Sequence, residues 1–288
     1  MTLTSPYSFQ NDLEKIRLLN YRVYETKLAN LFYKLGKAGY EPILIKGWAA
    51  AQYYPRAWSR ISGDVDMVFR PEEVRDVKNF LSGYTYLPID IHSGMRRLDT
   101  VDFDDLYKHS LIIDCQGTAI RVLRVEDHIR VLCVHWMSDG GANKEKLWDL
   151  FYAIDHFREN LDWNRCLDVV NSTRKAWIKS VIVLTYDYLG LEIENLPFAD
   201  ELKDNPVWIN QAVEKEWRSK IKLNSLHLFM HNKKLLVKQI LKRIPPNPLQ
   251  ATVELEKDIR GEIRFHYQFI NMFTRLNPSL KRIFKIEK

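Results

Sequence analysis

Two aspartates separated by one residue, Asp64 and Asp66, are the strongest candidates for chemistry in this chain of 288 residues. They stand at the head of an apolar run, Val65 to Phe69, which is typical of a buried strand. Because side chains alternate across a strand, two carboxylates at this spacing point to the same face and can share a divalent cation. A second pair with this spacing, Asp102 and Asp104, lies in an acid-rich stretch, Asp99 to Asp105, that we interpret as a solvated turn or helix start.

A lysine and a glycine, Lys46 and Gly47, follow the apolar run 42–45 and precede a short predicted helix over 48–54. A strand end, a glycine and a helix start leave backbone N–H groups available, which is typical of phosphate binding. We therefore take Lys46 and Gly47 as candidate nucleotide-binding residues. The alternatives are a surface charge for the lysine and a plain turn for the glycine.

The segment that leads into the aspartate pair offers two further candidates, Arg60 and Gly63. The planar guanidinium of an arginine suits a phosphate better than a lysine ammonium does. Arg60 is therefore our preferred partner for a triphosphate. Gly63 forms a predicted tight turn with Ser62 directly before Asp64, and we count it among the nucleotide-binding candidates.

The composition, with 46% hydrophobic and 28% charged residues, is that of an ordinary globular protein. No run approaches the roughly 18 apolar residues that a membrane span needs, and the first residues lack the pattern of a secretory signal. Three widely spaced cysteines, Cys115, Cys133 and Cys166, fit neither a disulfide framework nor a short-spaced zinc site. We expect a soluble, cytoplasmic protein with no membrane partner.

The charge is unevenly distributed along the chain. Residues 211–288 hold 17 Lys and Arg against 7 Asp and Glu, whereas residues 1–210 hold 26 against 30. This basic C-terminal quarter could bind nucleotide phosphates or RNA, or it could be a solvated helical surface.

The elements that must position these residues divide the chain into two parts. Helical periodicity predicts a long first helix over residues 12–38, and strand patterns follow at 42–45, 65–69, 86–92 and in a hairpin of 111–115 with 119–123. A further helix is expected from Pro71 to about Gly83. From Glu126 onward helical periods dominate, with a rigid loop at 245–248. We predict an α+β fold, with a domain of mixed α and β over residues 1–124 and a mostly helical domain over 125–288.

The run from Ile43 to Phe69, I-L-I-K-G-W-A-A-A-Q-Y-Y-P-R-A-W-S-R-I-S-G-D-V-D-M-V-F, resembles the core of polymerase-beta-type nucleotidyltransferases. It is most similar to an uncharacterised bacterial nucleotidyltransferase family with the pattern K-G, tyrosine-proline, then R-x-x-x-D-x-D. That family's later D-x-H, E-D-H and C-x-H are matched by Asp90-Ile91-His92, Glu126-Asp127-His128 and Cys133-Val134-His135. The resemblance covers about residues 40–155, and it implies that the first domain is a polymerase-beta-like catalytic domain with a small mixed sheet.

The resemblance also implies an activity: transfer of a nucleoside monophosphate from a nucleoside triphosphate to an acceptor hydroxyl, with release of pyrophosphate. ATP is the expected nucleotide. It implies that Asp64, Asp66 and Asp90 hold Mg²⁺ or Mn²⁺ and that Asp90 activates the acceptor. His92 could orient a carboxylate or the acceptor, with a structural histidine as the alternative. Asp149, which matches an acid in the family's helical region, could line the cleft or act as a base.

Three functions stay open at this point. A small-molecule acceptor is favoured, because the K-G-W run and the R-x-x-x-D-x-D spacing are similar to those of antibiotic nucleotidyltransferases. The alternative is a toxin-like enzyme that modifies RNA or protein, which the basic C-terminal region would suit. A non-catalytic nucleotide-binding module is a further alternative, and the sequence predicts no oligomeric state.

Overall fold

The chain folds into a mixed α+β structure, described here from a computed structural model that covers residues 6–95, 97–223, 226–261 and 264–285. It forms two compact units. The first contains Met1–Leu132 and Tyr152–Val169, and the second contains Cys133–Phe151 and Val170–Lys288. The division into a catalytic domain over 1–124 and a helical domain over 125–288 stays a prediction.

The first unit contains a sheet of five strands in the order β3-β2-β1-β5-β4. The strands are β1 (Ile43–Leu44), β2 (Val65–Phe69), β3 (Ile89–Ser93), β4 (Leu111–Cys115) and β5 (Thr118–Val122). Strand β1 runs antiparallel to β2 and parallel to β5, β2 runs parallel to β3, and β4 and β5 form an antiparallel hairpin. The sheet is therefore small and mixed, as predicted, and β2 lies between β1 and β3.

Helices account for most of the remaining described chain. They are α1 (Pro6–Lys37), α2 (Trp48–Ala51), α3 (Val74–Phe80), α4 (Phe103–His109), α5 (Val125–Ser138), α6 (Leu147–Phe157), α7 (Trp163–Leu167), α8 (Ser172–Leu189), α9 (Val207–Arg218), α10 (Lys233–Leu241), α11 (Pro248–Glu254) and α12 (Phe265–Lys285). None of the helices within the described ranges combines the length and the hydropathy that crossing a bilayer requires. The strands all precede α5 in the described residues, so the predicted helical second half is confirmed.

Four elements are shorter than the sequence predicts, among them β1, which covers only Ile43–Leu44 of the predicted 42–45. Helix α2 ends at Ala51 instead of Tyr54, and α3 begins at Val74 because the residues after Arg70 form a turn. Strand β3 begins at Ile89 instead of Tyr86. Proline has no N–H to donate to a sheet, and the Pro88 carbonyl instead accepts a hydrogen bond from the Val65 N–H (2.9 Å).

Apolar side chains pack against both faces of the sheet. The alternation of side chains along β2 shows on which face Asp66 lies. Val65, Met67 and Phe69 belong to one buried cluster, which also holds the stripe of α1 formed by Tyr24, Leu28, Leu31, Phe32 and Leu35. Val68 belongs to a second cluster with Ile43, Ile45, Phe103 and Leu106. Because successive side chains of a strand point to opposite faces, Asp66 lies on the face of Val68, away from α1.

The acid-rich stretch before α4 is less solvated than the sequence suggests. Asp102 caps α4, accepting a hydrogen bond from the Asp104 N–H (2.8 Å), so the predicted helix start is confirmed. Asp99, which we expected in a solvated turn, is buried instead, and its carboxylate accepts hydrogen bonds from Arg130 Nε (3.0 Å) and Nη2 (2.8 Å). Arg130 also contacts Asp127 Oδ1 (2.7 Å). The expectation failed because the partner arginine lies 31 residues away in sequence.

Removal of Arg130 should strongly destabilise the first unit. Its side chain is 1% exposed and is held between Asp99 and Asp127. Breaking a buried ion pair from one side leaves uncompensated charge and typically costs about 3–5 kcal/mol. We predict that Arg130→Met lowers the free energy of unfolding by that order in urea titrations. The control is Arg75→Met, at an arginine that is 89% exposed and should change stability by less than about 0.5 kcal/mol. Similar losses in both variants would contradict the prediction.

Candidate metal and nucleotide site

The candidate site is built around Asp66, a carboxylate in the interior of the sheet. Its side chain is 4% exposed. In the register of the parallel pair β2 and β3, Asp66 lies directly across from Asp90. The two carboxylates that the sequence places 24 residues apart are therefore brought together by strand pairing.

Two side chains compensate the buried Asp66 charge. Lys46 Nζ lies 2.7 Å from Asp66 Oδ1, and His92 Nε2 lies 3.2 Å from the same oxygen. Burial alone raises the pKa of Asp66, but the His92 hydrogen bond and the Lys46 charge outweigh it and lower this pKa from 3.8 to about 2. Asp66 is therefore an anion at neutral pH. Lys46 is buried rather than a surface charge, and its role toward a nucleotide stays a prediction.

Asp66, Asp90 and His92 form a cluster of possible metal ligands, with one donor atom of each within 4.8 Å of the others. His92 Nε2 lies 3.3 Å from Asp90 Oδ2, and the Asp90 side chain is 61% exposed. In an octahedral shell with bonds of about 2.1 Å, neighbouring ligand atoms lie about 3 Å apart. The donor types and spacings therefore fit one divalent cation, with Asp90 on the solvent side.

Asp64 lies just outside β2 and is exposed. Among the described residues, the cluster of three ligands does not include it, and its role as a metal ligand stays a prediction. Its backbone carbonyl accepts a hydrogen bond from the Tyr24 hydroxyl (3.1 Å). Burial, and next the Asp64 charge, raises the pKa of Tyr24, so this hydroxyl remains a donor over the neutral range.

Gly47 closes the site from the side of β1. Its φ of +63° lies in the left-handed region, and a Cβ at this position would be 3.3 Å from the Asp64 carbonyl oxygen. The Tyr24 hydroxyl and the Ser62 Oγ would each lie 3.8 Å away. The turn after β1 therefore passes close to the turn before β2, and both the backbone conformation and the limited space favour glycine at this position.

Helix α1 contributes residues that the sequence analysis missed. Glu25 accepts a buried hydrogen bond from Trp48 Nε1 (3.0 Å) and pairs with Arg22 (2.9 Å). With the Tyr24 bond to Asp64, neighbouring residues of α1 thus hold the two turns that flank the site. The sequence does contain a signal for Glu25, because this acid lies beside the apolar stripe of α1. The structure shows that its side chain is buried.

The remaining candidates are Arg60, Gly63 and Asp149, and none of them belongs to the cluster of three ligands. Arg60 follows a short 3-10 turn (Ala57–Ser59) and donates to the Ile61 carbonyl (3.2 Å) and Ser62 Oγ (3.1 Å), so it supports the loop into β2. A Cβ on Gly63 would meet no described atom within 4 Å. Asp149 is buried in α6, in the second unit. The nucleotide roles of Arg60 and Gly63 and the functional role of Asp149 stay predictions.

The histidines of α5 do not contribute to this ligand cluster in the described structure. His128 is buried, and its Nδ1 lies 2.7 Å from the Tyr53 hydroxyl. His135 lies 3.6 Å from Asp139 on the same helical face. Both histidines therefore have partners outside the candidate cluster.

The model of a family described as uncharacterised nucleotidyltransferase matches residues 5–178, so the chain belongs to that family. A crystal structure of an antigenic nucleotidyltransferase-like protein from Paracoccidioides brasiliensis is similar over 65% of this chain and 96% of that one, at 11% identity and a TM-score of 0.45. No functionally curated protein matches the chain significantly.

Substitution of Gly47 tests the close approach of the two turns. A side chain there would impose a strained backbone and press on the Asp64 carbonyl. We predict that Gly47→Ala destabilises the protein by about 1–3 kcal/mol, measured by chemical denaturation. Gly83→Ala is the matched control, since a Cβ there meets no described atom within 4 Å. Equal stabilities of the two variants would show that the approach is not tight.

The pH dependence of stability tests the compensation of Asp66. A pKa lowered from 3.8 to about 2 stabilises the folded state by about 2 kcal/mol above the unfolded pKa, and this stabilisation is lost as the pH falls toward 2. The difference in unfolding free energy between wild type and Asp66→Asn should therefore shrink as the pH falls below about 4. Denaturant titrations at a series of pH values measure it, and a difference unchanged at about pH 3 would contradict the lowered pKa.

Proposed function

We propose that this protein transfers a nucleoside monophosphate from a nucleoside triphosphate, with ATP as the expected substrate, to an acceptor hydroxyl and releases pyrophosphate. The observation that carries the proposal is the convergence of Asp66, Asp90 and His92 within 4.8 Å in a chain that belongs to a nucleotidyltransferase family. Mg²⁺ or Mn²⁺ is the expected cation, and the expected setting is the cytoplasm.

The carboxylates have separate roles in this proposal. A divalent cation, when bound, would supply positive charge that neutralises the charge developing on the phosphate during transfer. Asp66 and Asp90 would hold it, with Asp64 completing the set from the turn before β2. The exposed Asp90 carboxylate also accepts the proton of the acceptor hydroxyl, since it is the one of the paired carboxylates that a solvent-borne acceptor can reach.

Cationic side chains are needed as well, because phosphoryl chemistry depends mainly on positioning and charge neutralisation. Lys46 pairs with Asp66, and in this proposal its ammonium also contributes positive charge beside the triphosphate. Arg60, on the loop that leads into β2, offers a planar guanidinium for the same phosphates. Gly47 and Gly63 allow the backbone to approach them closely.

The acceptor in this proposal is a hydroxylated small molecule, and Asp149 is a candidate for its recognition. The basic composition of residues 211–288 keeps an RNA acceptor as the alternative. Affinity for RNA carried by phosphate contacts falls steeply with salt. A transfer activity on cell RNA that is lost between about 50 and 200 mM salt would favour that alternative.

The decisive assay follows label from each of the four NTPs, with the label at the α-phosphate, into candidate acceptors or cell extract in the presence of Mg²⁺ or Mn²⁺. We predict that Asp66→Asn and Asp90→Asn each lower transfer at least about 100-fold, since each removes a charge from the metal site. Asp90→Asn should keep nucleotide binding, measured by calorimetry, because Asp66 and Lys46 remain.

The matched control is Asp102→Asn combined with Asp104→Asn. These acids share the D-x-D spacing but belong to the start of α4, where asparagine also serves as a helix cap. Transfer should remain near wild type. Loss of transfer in the control and not in Asp90→Asn would refute the assignment, and absence of transfer with all four NTPs would favour the non-catalytic module.

A further inference from the structure

The imidazole of His92 lies between the two carboxylates of the candidate site. From this arrangement we infer that His92 is a direct nitrogen ligand of the cation and that the site consequently binds Mn²⁺ in preference to Mg²⁺. The inference rests on the proposed function in one respect, since it takes the cluster of Asp66, Asp90 and His92 as the cation site.

The distances place the nitrogen at a ligand position. His92 Nε2 is 3.2 Å from Asp66 Oδ1 and 3.3 Å from Asp90 Oδ2. Adjacent ligands of an octahedral ion with bonds of about 2.1 Å are separated by about 3 Å. The nitrogen is therefore already near the ligand-to-ligand distance from both oxygens, so binding of an ion beside all three atoms needs little side-chain movement.

Strand pairing fixes this position. Asp90 and His92 are separated by one residue in β3 and so face the same side, and the register pairs Asp66 with Asp90 and Val68 with His92. A one-residue slip would turn the buried Val65, Met67 and Phe69 out of their cluster. The apolar packing of β2 therefore also holds the nitrogen beside the carboxylates.

The charged groups around His92 differ from those around a histidine in an ordinary ion pair. His109 lies 3.2 Å from Asp105, whose carboxylate also pairs with Arg165 at 2.9 Å, so a protein cation satisfies that carboxylate. His92 instead faces two carboxylates, and Lys46 lies 2.7 Å from the inner one. One negative charge is left over when the imidazole is neutral, and a divalent cation can take it up.

The donor set selects among cations. Mg²⁺ is a hard ion that binds oxygen ligands and waters, whereas first-row transition ions also accept imidazole nitrogen. Mn²⁺ shares the preference of Mg²⁺ for carboxylates and tolerates nitrogen. Two carboxylates and one imidazole therefore favour Mn²⁺ over Mg²⁺, which three carboxylates would not do.

Pulsed electron paramagnetic resonance of the full chain with Mn²⁺ tests the ligand directly. With isotope-labelled histidine, we expect hyperfine coupling between the bound Mn²⁺ and a histidine nitrogen in the wild type and in the control His109→Gln, and none in His92→Gln. In titrations, Mn²⁺ affinity should fall about tenfold or more in His92→Gln, while Mg²⁺ affinity, measured by competition, changes much less.

A second variant, His92→Asp, tests the inference even if His92→Gln does not fold. His92→Asp keeps a ligand but replaces nitrogen with oxygen, so it should reduce the ratio of Mn²⁺ to Mg²⁺ affinity while circular dichroism stays unchanged. Bound Mn²⁺ without histidine coupling in the wild type, or an unchanged affinity ratio in His92→Asp, would overturn the inference. These readouts need no turnover, so nitrogen-coupled Mn²⁺ without any nucleotide transfer would count against the proposed function alone.

Discussion

The buried negative charge of Asp66 is the constraint on which the site depends. A carboxylate inside an apolar sheet is costly unless cations and hydrogen bonds compensate it. Here Lys46 comes from the end of β1 and His92 from β3, the two strands that flank β2. The strand order therefore does more than bury apolar residues. It places Lys46 and His92, one from each neighbouring strand, beside the same Asp66 oxygen.

The close approach at Gly47 links this charge to helix α1. For Lys46 to reach Asp66, the turn after β1 must pass beside the turn before β2, and the glycine allows a separation that a side chain would prevent. Helix α1 then fixes both turns through Tyr24 and Glu25. The apolar stripe of α1 buries against the sheet on the opposite face from Asp66. One helix thus supplies both packing energy and the polar contacts that hold the turns.

Local sequence patterns predict much of this architecture, but they do not predict polar contacts between residues that lie far apart in the sequence. The run Val65 to Phe69 and the hairpin around Gln116-Gly117 follow from strand and turn preferences. The pairing of Asp90 with Asp66 was predictable once both segments were read as neighbouring strands of one face. By contrast, the pairs Glu25 with Trp48 and Asp99 with Arg130 join residues 23 and 31 positions apart. No periodic pattern marks such partners, because only the packed core brings them together.

The three candidate ligands differ in solvent exposure, and each degree of exposure suits a different task in the proposed site. Asp66 is buried and contacts Lys46 and His92 within the sheet. Asp90 is exposed on the neighbouring strand and has the freedom to meet a cation, a phosphate or an acceptor. His92 lies between them, half buried, and contacts both. A fixed inner carboxylate can position a cation without reorganisation, while an accessible outer carboxylate can exchange a proton with an acceptor. Strand pairing alone supplies both properties, because it places a buried position of β2 beside an exposed position of β3.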